Sequence, residues 1–558
     1  MANILTPLSL WGDIECSYET LPETVSEKTD GGVKIEKVLF YGHKTEKGRV
    51  RIAAAFGCDA YTPATETVLI MPDSTETIDE EVIKMFVKQG YSVLMVDYRG
   101  QWQGCDFYTQ YPEDIEYGNT AMCGRYKDYV DETADKTSWY EWIAVGLYAR
   151  KYIMERTGEN NIAVVGIRDG GEVAWKLGIA AEFSCIIPVC AAGWKAYAGI
   201  SKYMSEEPQL DDERYRFIAG VDSQAYAPYV KCPVMMLCST NDKRFDYDRA
   251  YDTFSRINPQ YLDDSAISYS VRCNSAIGLK SVAGMFMFLD KNLKSRQVFI
   301  PKPAQVTVEV DQDEDLIARV SFDTEGIVES CKVYLAEDST DSSIREWQAC
   351  PVKRDVSDTE REFYLNIYEK TTAVFVFCYV TFSNGFTVWS KMCVKKISGT
   401  FHNMQTKNRV IYRNSDGSAG FMMSEPKTGA LGGIFITDEN VLPHMVEKAK
   451  GIKGVYSPCG ISTYRFASPK FAPLGGSVLS LDAYCDQTAK LVLTLTDLTS
   501  GEEYVYQPEV VGGVWQSLIF ESSLFKNAGG APLDVYTPNF KFSVNCEVPF
   551  AINNVSWL

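Results

Sequence analysis

A cluster of glycines around an arginine and an aspartate is the stretch of this sequence whose residue types and spacing most clearly point to chemistry. Residues 166–171 are Gly-Ile-Arg-Asp-Gly-Gly, and they join a short β-branched apolar run to a stretch with helical spacing. Glycines at this spacing predict a sharp strand-to-helix turn whose central side chain is presented for reaction, as a serine is in acyl-transfer enzymes. The central residue here is Arg168, because a frame centred on Asp169 would put Ile167 where a small residue is needed. An arginine cannot serve as an acyl-transfer nucleophile.

An acyl-transfer serine would also need an acid and a histidine base. Asp242 ends a later apolar run and could supply the acid, and the turn after the last such run contains Asn274 and Ser275. The only histidines of the chain are His43, His402 and His444. None of them falls where the base would be needed, and we expect a turn or structural role for each. The sequence therefore predicts that the Ser-His-Asp mechanism is missing both its nucleophile and its base.

Arg168 admits two interpretations, because a permanently charged guanidinium at such a turn needs a partner. In the first, it forms an internal ion pair with Asp242, Asp169 or an acid of a neighbouring insertion. In the second, it binds the carboxylate or phosphate of a ligand. We favour the internal ion pair, because structural ion-pair networks resemble functional sites.

Metal and cofactor sites are not predicted. The spacing of Asp311, Asp313 and Asp315 resembles the start of a calcium loop, but Leu316 and Phe322 stand where a glycine and a closing acid are required. We interpret this stretch as a solvated turn. The sequence has no cysteine-histidine cluster with metal spacing, no phosphate loop and no dinucleotide-binding pattern.

The elements that must position the arginine turn are predicted from alternating strand and helix patterns before residue 297. This alternation indicates a mostly parallel sheet flanked by helices, with the ligand edge at the carboxyl ends of the strands. Two insertions, residues 101–136 and 194–229, are predicted as caps over that edge. For the first of them, a structured surface excursion is an equally good interpretation. The first is rich in tyrosine, and Tyr108 and Tyr111 are candidate ligand-binding residues. Between them we predict an amphipathic helix capped by Ser138.

The sequence pattern changes after residue 297 to short alternating strands separated by turns. We predict three domains: an α/β domain at residues 1–297, an Ig-like β-sandwich at 298–398 and a jelly-roll β-sandwich at 399–558. The last domain resembles carbohydrate-binding β-sandwiches, although its large aromatic residues are more typical of a core.

Composition limits the partners of the chain. A formal net charge of −19 over 558 residues argues against binding to nucleic acid or to anionic membranes. Neither a signal peptide nor a membrane-spanning run is recognisable, and the sixteen cysteines lack paired spacing. We therefore expect a cytoplasmic protein with reduced thiols. Homo-oligomer formation stays open.

The order of these features resembles the α/β hydrolases related to acetyl-xylan esterases, dienelactone hydrolases and multidomain esterases. The resemblance covers about residues 33–293 and includes the VDYRG strand, the WYEW helix, the GIRDGG turn and the STND strand end. It implies an α/β-hydrolase fold in which Arg168 replaces the nucleophilic serine, Asp242 is the acid, and Asn274 and Ser275 replace the histidine. It also implies an oxyanion hole near Asp169 and Ser74.

These observations predict an esterase-related pseudoenzyme with a binding or scaffold function. Its ligand would be small and anionic or carbohydrate-derived, and we expect Arg168, Asp169, Tyr108 and Tyr111 to contact it. The alternative is an active hydrolase that cleaves a carboxylic or acetyl ester with a non-standard set of residues. A scaffold without a ligand is a further alternative.

Overall fold

The computed structural model describes residues 14, 16–131, 133–204, 209–322, 325–423, 429–437 and 443–558. The first region is built on a nine-stranded sheet, with strands in the spatial order β1-β2-β3-β5-β4-β6-β7-β8-β9. β1, β2, β3 and β5 pair antiparallel, and the strands from β5 to β9 in that order are parallel. The strands are β1 (Glu23–Asp30), β2 (Val33–Lys44), β3 (Arg49–Asp59), β4 (Thr67–Met71), β5 (Ser92–Asp97), β6 (Ile162–Ile167), β7 (Cys185–Val189), β8 (Met235–Ser239) and β9 (Ala266–Ser270).

The parallel strands are short apolar runs, buried along their whole length because helices cover both faces of the sheet. The α-helices are α1 (Glu80–Lys88), α2 (Arg125–Asp128), α3 (Ser138–Thr157), α4 (Asp169–Ala180), α5 (Asp212–Gly220), α6 (Ser223–Tyr226), α7 (Tyr247–Phe254), α8 (Pro259–Leu262) and α9 (Leu279–Leu293). Short 3-10 helices occur at Glu113–Gly118, Ala134–Lys136, Lys195–Tyr197, Ala227–Tyr229, Ser342–Ile344, Asn414–Gly420, Ala449–Gly451, Arg465–Ala467, Pro469–Phe471 and Ser522–Leu524.

Helix α3 differs from its prediction in two ways. Its cap is Thr137 and not Ser138, since the Thr137 hydroxyl accepts a hydrogen bond from the backbone N–H of Tyr140 at 3.3 Å. The helix is also buried around most of its circumference and is not amphipathic. One reason is that β2 packs against it from the side, where the rings of Phe40 and Tyr152 stack 4.7 Å apart.

The second region contains two antiparallel sheets, ordered β11-β12-β16-β15 and β14-β13-β17-β18, with β19 also pairing with β17. β13 alternates between buried and more exposed residues over much of its length, as the sequence pattern predicted, whereas β17 is buried along nearly its whole length. The strands are β11 (Gln305–Val310), β12 (Leu316–Ser321), β13 (Val328–Glu337), β14 (Gln348–Ala349), β15 (Val352–Ser357), β16 (Glu360–Tyr364), β17 (Ala373–Phe382), β18 (Thr387–Trp389) and β19 (Cys393–Lys396).

The third region has two larger antiparallel sheets, ordered β24-β25-β34-β27-β32 and β21-β26-β33-β29-β30, with β20 pairing with β34 and β28 with β31. The strands are β20 (Val410–Arg413), β21 (Met422–Met423), β22 (Ala430–Leu431), β23 (Ile434–Thr437), β24 (His444–Lys448), β25 (Ile452–Ser457), β26 (Gly460–Thr463), β27 (Leu479–Cys485), β28 (Ala489–Lys490), β29 (Val492–Asp497), β30 (Glu503–Tyr506), β31 (Glu509–Val510), β32 (Gln516–Phe520), β33 (Phe540–Asn545) and β34 (Phe550–Trp557).

A hairpin of the third region, formed by β22 and β23, leaves that region and joins the first. β23 pairs in parallel with β10 (Ala276–Gly278), which lies between β9 and α9. The apolar side chains of the hairpin, Leu431, Ile434 and Ile436, belong to the core shared by the first two regions. The rest of the third region has a separate core. The sequence pattern did not predict this exchange.

No helix in the described part of the chain is both long enough and apolar enough to cross a membrane.

Candidate functional site

The arginine turn lies at the carboxyl end of β6, where α4 begins. Arg168 has φ 52° and ψ −113°, a conformation that costs a non-glycine residue about 1 to 3 kcal/mol. Gly170 allows this geometry, because a Cβ at that position would lie 2.1 Å from the carbonyl oxygen of Met71. The glycines therefore serve close packing of the turn against the neighbouring strand, and the turn presents Arg168 as the spacing predicted.

The guanidinium of Arg168 is paired with Asp242 at the end of β8. Nη1 donates to Oδ1 at 3.2 Å and Nη2 to Oδ2 at 2.8 Å, while Nη2 also donates to the hydroxyl of Ser275 at 3.0 Å. The two charged side chains are 4% and 0% exposed. Burial alone would lower the pKa of Arg168, but the attraction of Asp242 outweighs it and raises that pKa above its usual value. Nε of Arg168 has no hydrogen-bond partner among the described residues.

A second ion pair stands beside the first. The side chain of Arg244 donates to the buried carboxylate of Asp73, with Nη1 and Oδ2 2.8 Å apart, and the backbone N–H of Arg244 donates to Asp242 at 2.8 Å. Asp73 follows β4 and lies at the same edge of the sheet as Arg168. Asp242 and Asp73 are thus each paired with an arginine of their own.

Asp169, the residue after the arginine, is held by lysines from both insertions. Its carboxylate accepts hydrogen bonds from Lys127 at 2.6 Å and Lys195 at 2.5 Å, and from the hydroxyl of Ser74 at 2.6 Å. Burial would raise the pKa of Asp169, but Lys195 and Lys127 hold it far below its usual range. Asp169 and Ser74, the residues predicted to line an oxyanion hole, are thus hydrogen-bonded to each other around a permanent negative charge, which opposes the development of an oxyanion.

The β22–β23 hairpin covers this edge. The backbone N–H of Asp73 donates to the carbonyl of Gly432 at 2.8 Å, and the N–H of Phe435 donates to the carbonyl of Ser275 at 2.9 Å. Gly433 has φ 109°, and a Cβ there would lie 2.6 Å from the Cβ of Asp73. A backbone donor of the loop predicted to stabilise an oxyanion is therefore already bound to the chain itself.

The remaining predicted site residues have different surroundings. The hydroxyl of Tyr111 donates to the carbonyl of Tyr98 at 2.9 Å, so this end of the side chain is directed to the backbone just after β5. Tyr108 is half-buried, and Asn274 is exposed in the turn after β9. The structure thus brings together Arg168, Asp242 and Ser275 as one group and Asp169 with Ser74 as another.

The three histidines lie in other parts of the molecule. His43 Nε2 is 2.8 Å from a carboxylate oxygen of Glu141, and His402 Nε2 is 3.4 Å from one of Glu314. His444 begins β24, where its ring is 5.2 Å from that of Tyr456. The third-region segment that binds Asp73 and Ser275 is the β22–β23 hairpin and not β24.

The three aspartates with calcium-loop spacing surround a lysine. Lys353 Nζ lies 3.1 Å from the carboxylates of both Asp313 and Asp315 and also contacts Asp311. Its side chain is 8% exposed. The ammonium group thus occupies the position between the carboxylates where a metal ion would be coordinated.

Asp97 is a further buried acid at the edge of the sheet, at the end of β5. Its Oδ1 accepts from the N–H of Gly100 at 3.2 Å, whereas Oδ2 has no partner among the described residues. Burial raises its pKa to about 7, despite the opposing attraction of Arg99.

Sequence reasoning did not find Lys127, Lys195, Arg244 or the hairpin. A buried acid next to the turn does require cations. The sequence, however, gives no spacing that links Asp169 to a lysine in either insertion. The sequence indicated only that a buried acid needs cations, and this requirement does not identify the residues that supply them.

Comparisons with known proteins give matches at the level of solved structures. No family model matches the sequence. No curated protein matches it either. An acetyl xylan esterase from Paenibacillus sp. R4 is similar over 52% of this chain and 95% of its own, with 14% identity and a TM-score of 0.40. Acetyl xylan esterase 1 from Thermoanaerobacterium sp. JW/SL YS485 has 16% identity and a TM-score of 0.39 over 51% of this chain and 92% of its own.

A putative dienelactone hydrolase from Klebsiella pneumoniae subsp. pneumoniae MGH 78578 has 11% identity and a TM-score of 0.27, over 44% of this chain and 90% of its own. These similarities concern the path of the chain and not its chemistry.

Proposed function

We propose that this protein is a non-catalytic relative of esterases, in which the former nucleophile turn has become a structural ion-pair centre. The observation that carries the proposal is the pairing of Arg168 with Asp242. The side chain that stands in the nucleophile position is bound to the side chain that stands in the position of the catalytic acid. A hydrolase of the Ser-His-Asp type needs that acid to orient a histidine.

The surroundings of Arg168 support the same proposal. A developing oxyanion beside the turn is disfavoured by the negative charge of Asp169. It is also disfavoured because the Asp73 N–H already donates to the carbonyl of Gly432. The hairpin and the lysines of the two insertions restrict access to this edge. We infer that Asp242, rather than a bound ligand, is the partner of the Arg168 guanidinium.

The proposed architecture has an α/β-hydrolase fold at residues 1–297, an Ig-like β-sandwich at 298–398 and a jelly-roll β-sandwich at 399–558. The order of the nine-stranded sheet and the antiparallel sheets of the later regions support it. Because the side chains of the arginine turn are bound to one another, the proposed function is binding or assembly through other surfaces of the three regions. A homo-oligomeric scaffold is one form of this function, which sedimentation of the purified protein would detect.

Hydrolysis of a short-chain aryl acetate tests the proposal. We expect the wild type, Arg168→Ser and Asp242→Ala to give the rate of the no-protein control, because restoring the serine supplies no base. Arg413→Ser changes an exposed arginine of the third region and is the matched control for effects of an arginine-to-serine substitution as such. A wild-type rate well above the control that falls on Asp242→Ala would contradict the proposal and support a hydrolase with a non-standard set of residues.

A further inference from the structure

Two thiols lie against each other at one end of the third region. Cys485 is the last residue of β27, and Cys546 directly follows β33. β27 and β33 belong to the two different sheets of that region. Both cysteines are free, and their side chains are hydrogen-bonded to each other. A covalent bond between the two sulfur atoms would therefore connect the two sheets.

Strand pairing holds the backbone on both sides of this pair. Cys485 lies opposite Phe550 in the β27–β34 ladder, and Cys546 begins the short connection that leads to Phe550. The N–H of Cys546 donates to the carbonyl of Cys459 at 3.1 Å. The contact between the two thiols is thus a result of the sheet pairing around them.

The two thiols differ in exposure. Cys485 is 0% exposed and belongs to the core of the third region. Cys546 is partly exposed and packs against that core. Its Sγ donates to the carbonyl of Lys490 at 3.5 Å, and this contact lies at the surface. A small oxidant in solution can therefore reach Cys546, whereas Cys485 contacts Cys546 from the protein side.

This difference sets the order of any reaction. Burial, with a smaller contribution from Cys546, raises the pKa of the Cys485 thiol to about 12. Because the thiolate is the reactive form, Cys485 does not react first with an oxidant at neutral pH. It can attack a neighbouring oxidised sulfur, since holding two groups in contact raises their effective concentration and offsets a small thiolate fraction.

Cys331 and Cys378 form a contrasting pair in the second region. They lie on the neighbouring strands β13 and β17, where Cys331 is opposite Val380 and Cys378 is opposite Val333. Both are buried, at 8% and 0% exposed. An oxidant in solution has poor access to either thiol, so we expect this pair to stay reduced under conditions that oxidise Cys546.

We propose that Cys546 is a site of oxidation by hydrogen peroxide and that Cys485 is its resolving thiol. In the first step the O–O bond of the peroxide breaks, an S–O bond forms on Cys546, and one water is released. In the second step the Cys485 sulfur attacks the Cys546 sulfur, an S–S bond forms and the S–O bond breaks. The hydroxyl leaves with the Cys485 proton as a second water. The two sulfurs are oxidised, and the peroxide is reduced to two waters.

The resulting disulfide stabilises the third region. It encloses residues 485–546 and joins the two sheets, and closing a long loop reduces the freedom of the unfolded chain. The third region, apart from its hairpin, has a core separate from that of the first two regions. The stabilisation is therefore confined to the third region. The proposal goes beyond the proposed function and does not depend on the arginine turn.

Peptide mass spectrometry of the full chain tests the proposal. The protein is treated with an excess of hydrogen peroxide, and its remaining thiols are alkylated before digestion without reductant. We expect a pair of peptides linked through Cys485 and Cys546 that separates on reduction with dithiothreitol. Conversion of Cys546 to sulfinic acid without this link would overturn the proposal. A link from Cys546 to Cys459, or an unreacted Cys546, would also overturn it.

Variants assign the role of each thiol. In Cys485→Ala the oxidised Cys546 has no resolving partner, so we expect it to accumulate as sulfenic and sulfinic acid, which dimedone labelling and mass detect. Cys459→Ser is the matched control, because it removes a partly exposed thiol at the same end and should leave the link intact. Equal sulfenic acid in wild type and Cys485→Ala would overturn the resolving role. If Cys485→Ala does not fold, loss of the link in Cys459→Ser would overturn it instead.

Pulse proteolysis in urea, read from fragments of the third region, measures the consequence. Peroxide should lower the unfolding equilibrium constant of this region about 30-fold or more in the wild type, as is typical of a disulfide, and dithiothreitol should reverse the change. Cys546→Ser should show no effect of peroxide. Unchanged unfolding of a wild type that contains the link would overturn the stabilising role. None of these measurements involves an ester, so aryl acetate hydrolysis would contradict the proposed function and leave this inference unaffected.

Discussion

Replacement of Arg168 by methionine tests whether the arginine turn is a structural ion-pair centre. Arg168→Met keeps most of the side-chain volume but leaves the Asp242 carboxylate, which is 0% exposed, without its cation. Removing one member of a buried ion pair typically costs about 3 to 5 kcal/mol. The backbone N–H of Arg244 still donates to Asp242, so we expect the lower end, about 3 kcal/mol.

The pH dependence of this loss is the sharper readout. In the Arg168→Met variant the buried Asp242 carboxylate has no cation, so its pKa in the folded protein rises above the unfolded value of about 4. A raised folded pKa of an acid means that the penalty is complete at high pH and disappears as protonation occurs at lower pH. The difference in unfolding free energy between wild type and variant should therefore shrink from pH 8 to pH 5.

Urea unfolding followed by tryptophan fluorescence measures both effects. Arg413→Met removes an exposed arginine and should be close to neutral, within about 0.5 kcal/mol. The double variant Arg168→Met/Asp242→Asn should be more stable than Arg168→Met alone, because it contains no unpaired buried charge. A loss below about 1 kcal/mol in Arg168→Met that is the same at pH 5 and pH 8 would refute the reasoning.

Three other changes probe the same edge of the sheet. Asp97→Asn removes a carboxyl group whose folded pKa of about 7 exceeds the unfolded value. As the pH rises from 4 to 7, the unfolding free energy of the wild type should therefore fall by roughly 2 to 4 kcal/mol relative to that of the variant, as measured by urea titrations. A constant difference would contradict this. Asp169→Asn should release both insertions and speed tryptic cleavage within residues 101–136 and 194–229 severalfold; unchanged digestion would argue against the lysine contacts. Gly433→Ala should lower the unfolding free energy by about 1 to 3 kcal/mol, while Gly476→Ala, which also has positive φ but open space around it, isolates the cost of the backbone alone.

Much of the first region could be predicted from sequence because burial in a parallel sheet requires continuous apolar runs. β4, β6 and β8 are such runs, and the glycines of residues 166–171 mark the turn between β6 and α4. β1 was missed because all of its residues are exposed, so no apolar alternation marks it. A strand at the outer edge of an antiparallel sheet can be held by backbone hydrogen bonds alone, without buried side chains.

The candidate site was predictable in part. The pairing of Arg168 with Asp242 follows from chemistry, since a buried guanidinium needs a carboxylate at the same sheet edge. The contacts of Asp169 with Lys127 and Lys195 depend on where two irregular insertions return, and neither residue belongs to a periodic pattern. The position of the hairpin depends on the docking of a whole region and has no local signal in the sequence.

The β22–β23 hairpin has a consequence for the order in which the protein is completed during synthesis. The first region leaves the ribosome long before residue 432, and domains usually fold as they emerge. Until the hairpin arrives, β10 is an unpaired strand edge and the N–H of Asp73 lacks its Gly432 acceptor. Such edges invite pairing with other chains, so a nascent first region, or one produced without the hairpin, should depend on chaperones, whereas a chain that contains the hairpin should not. A region that is made later thus closes the first.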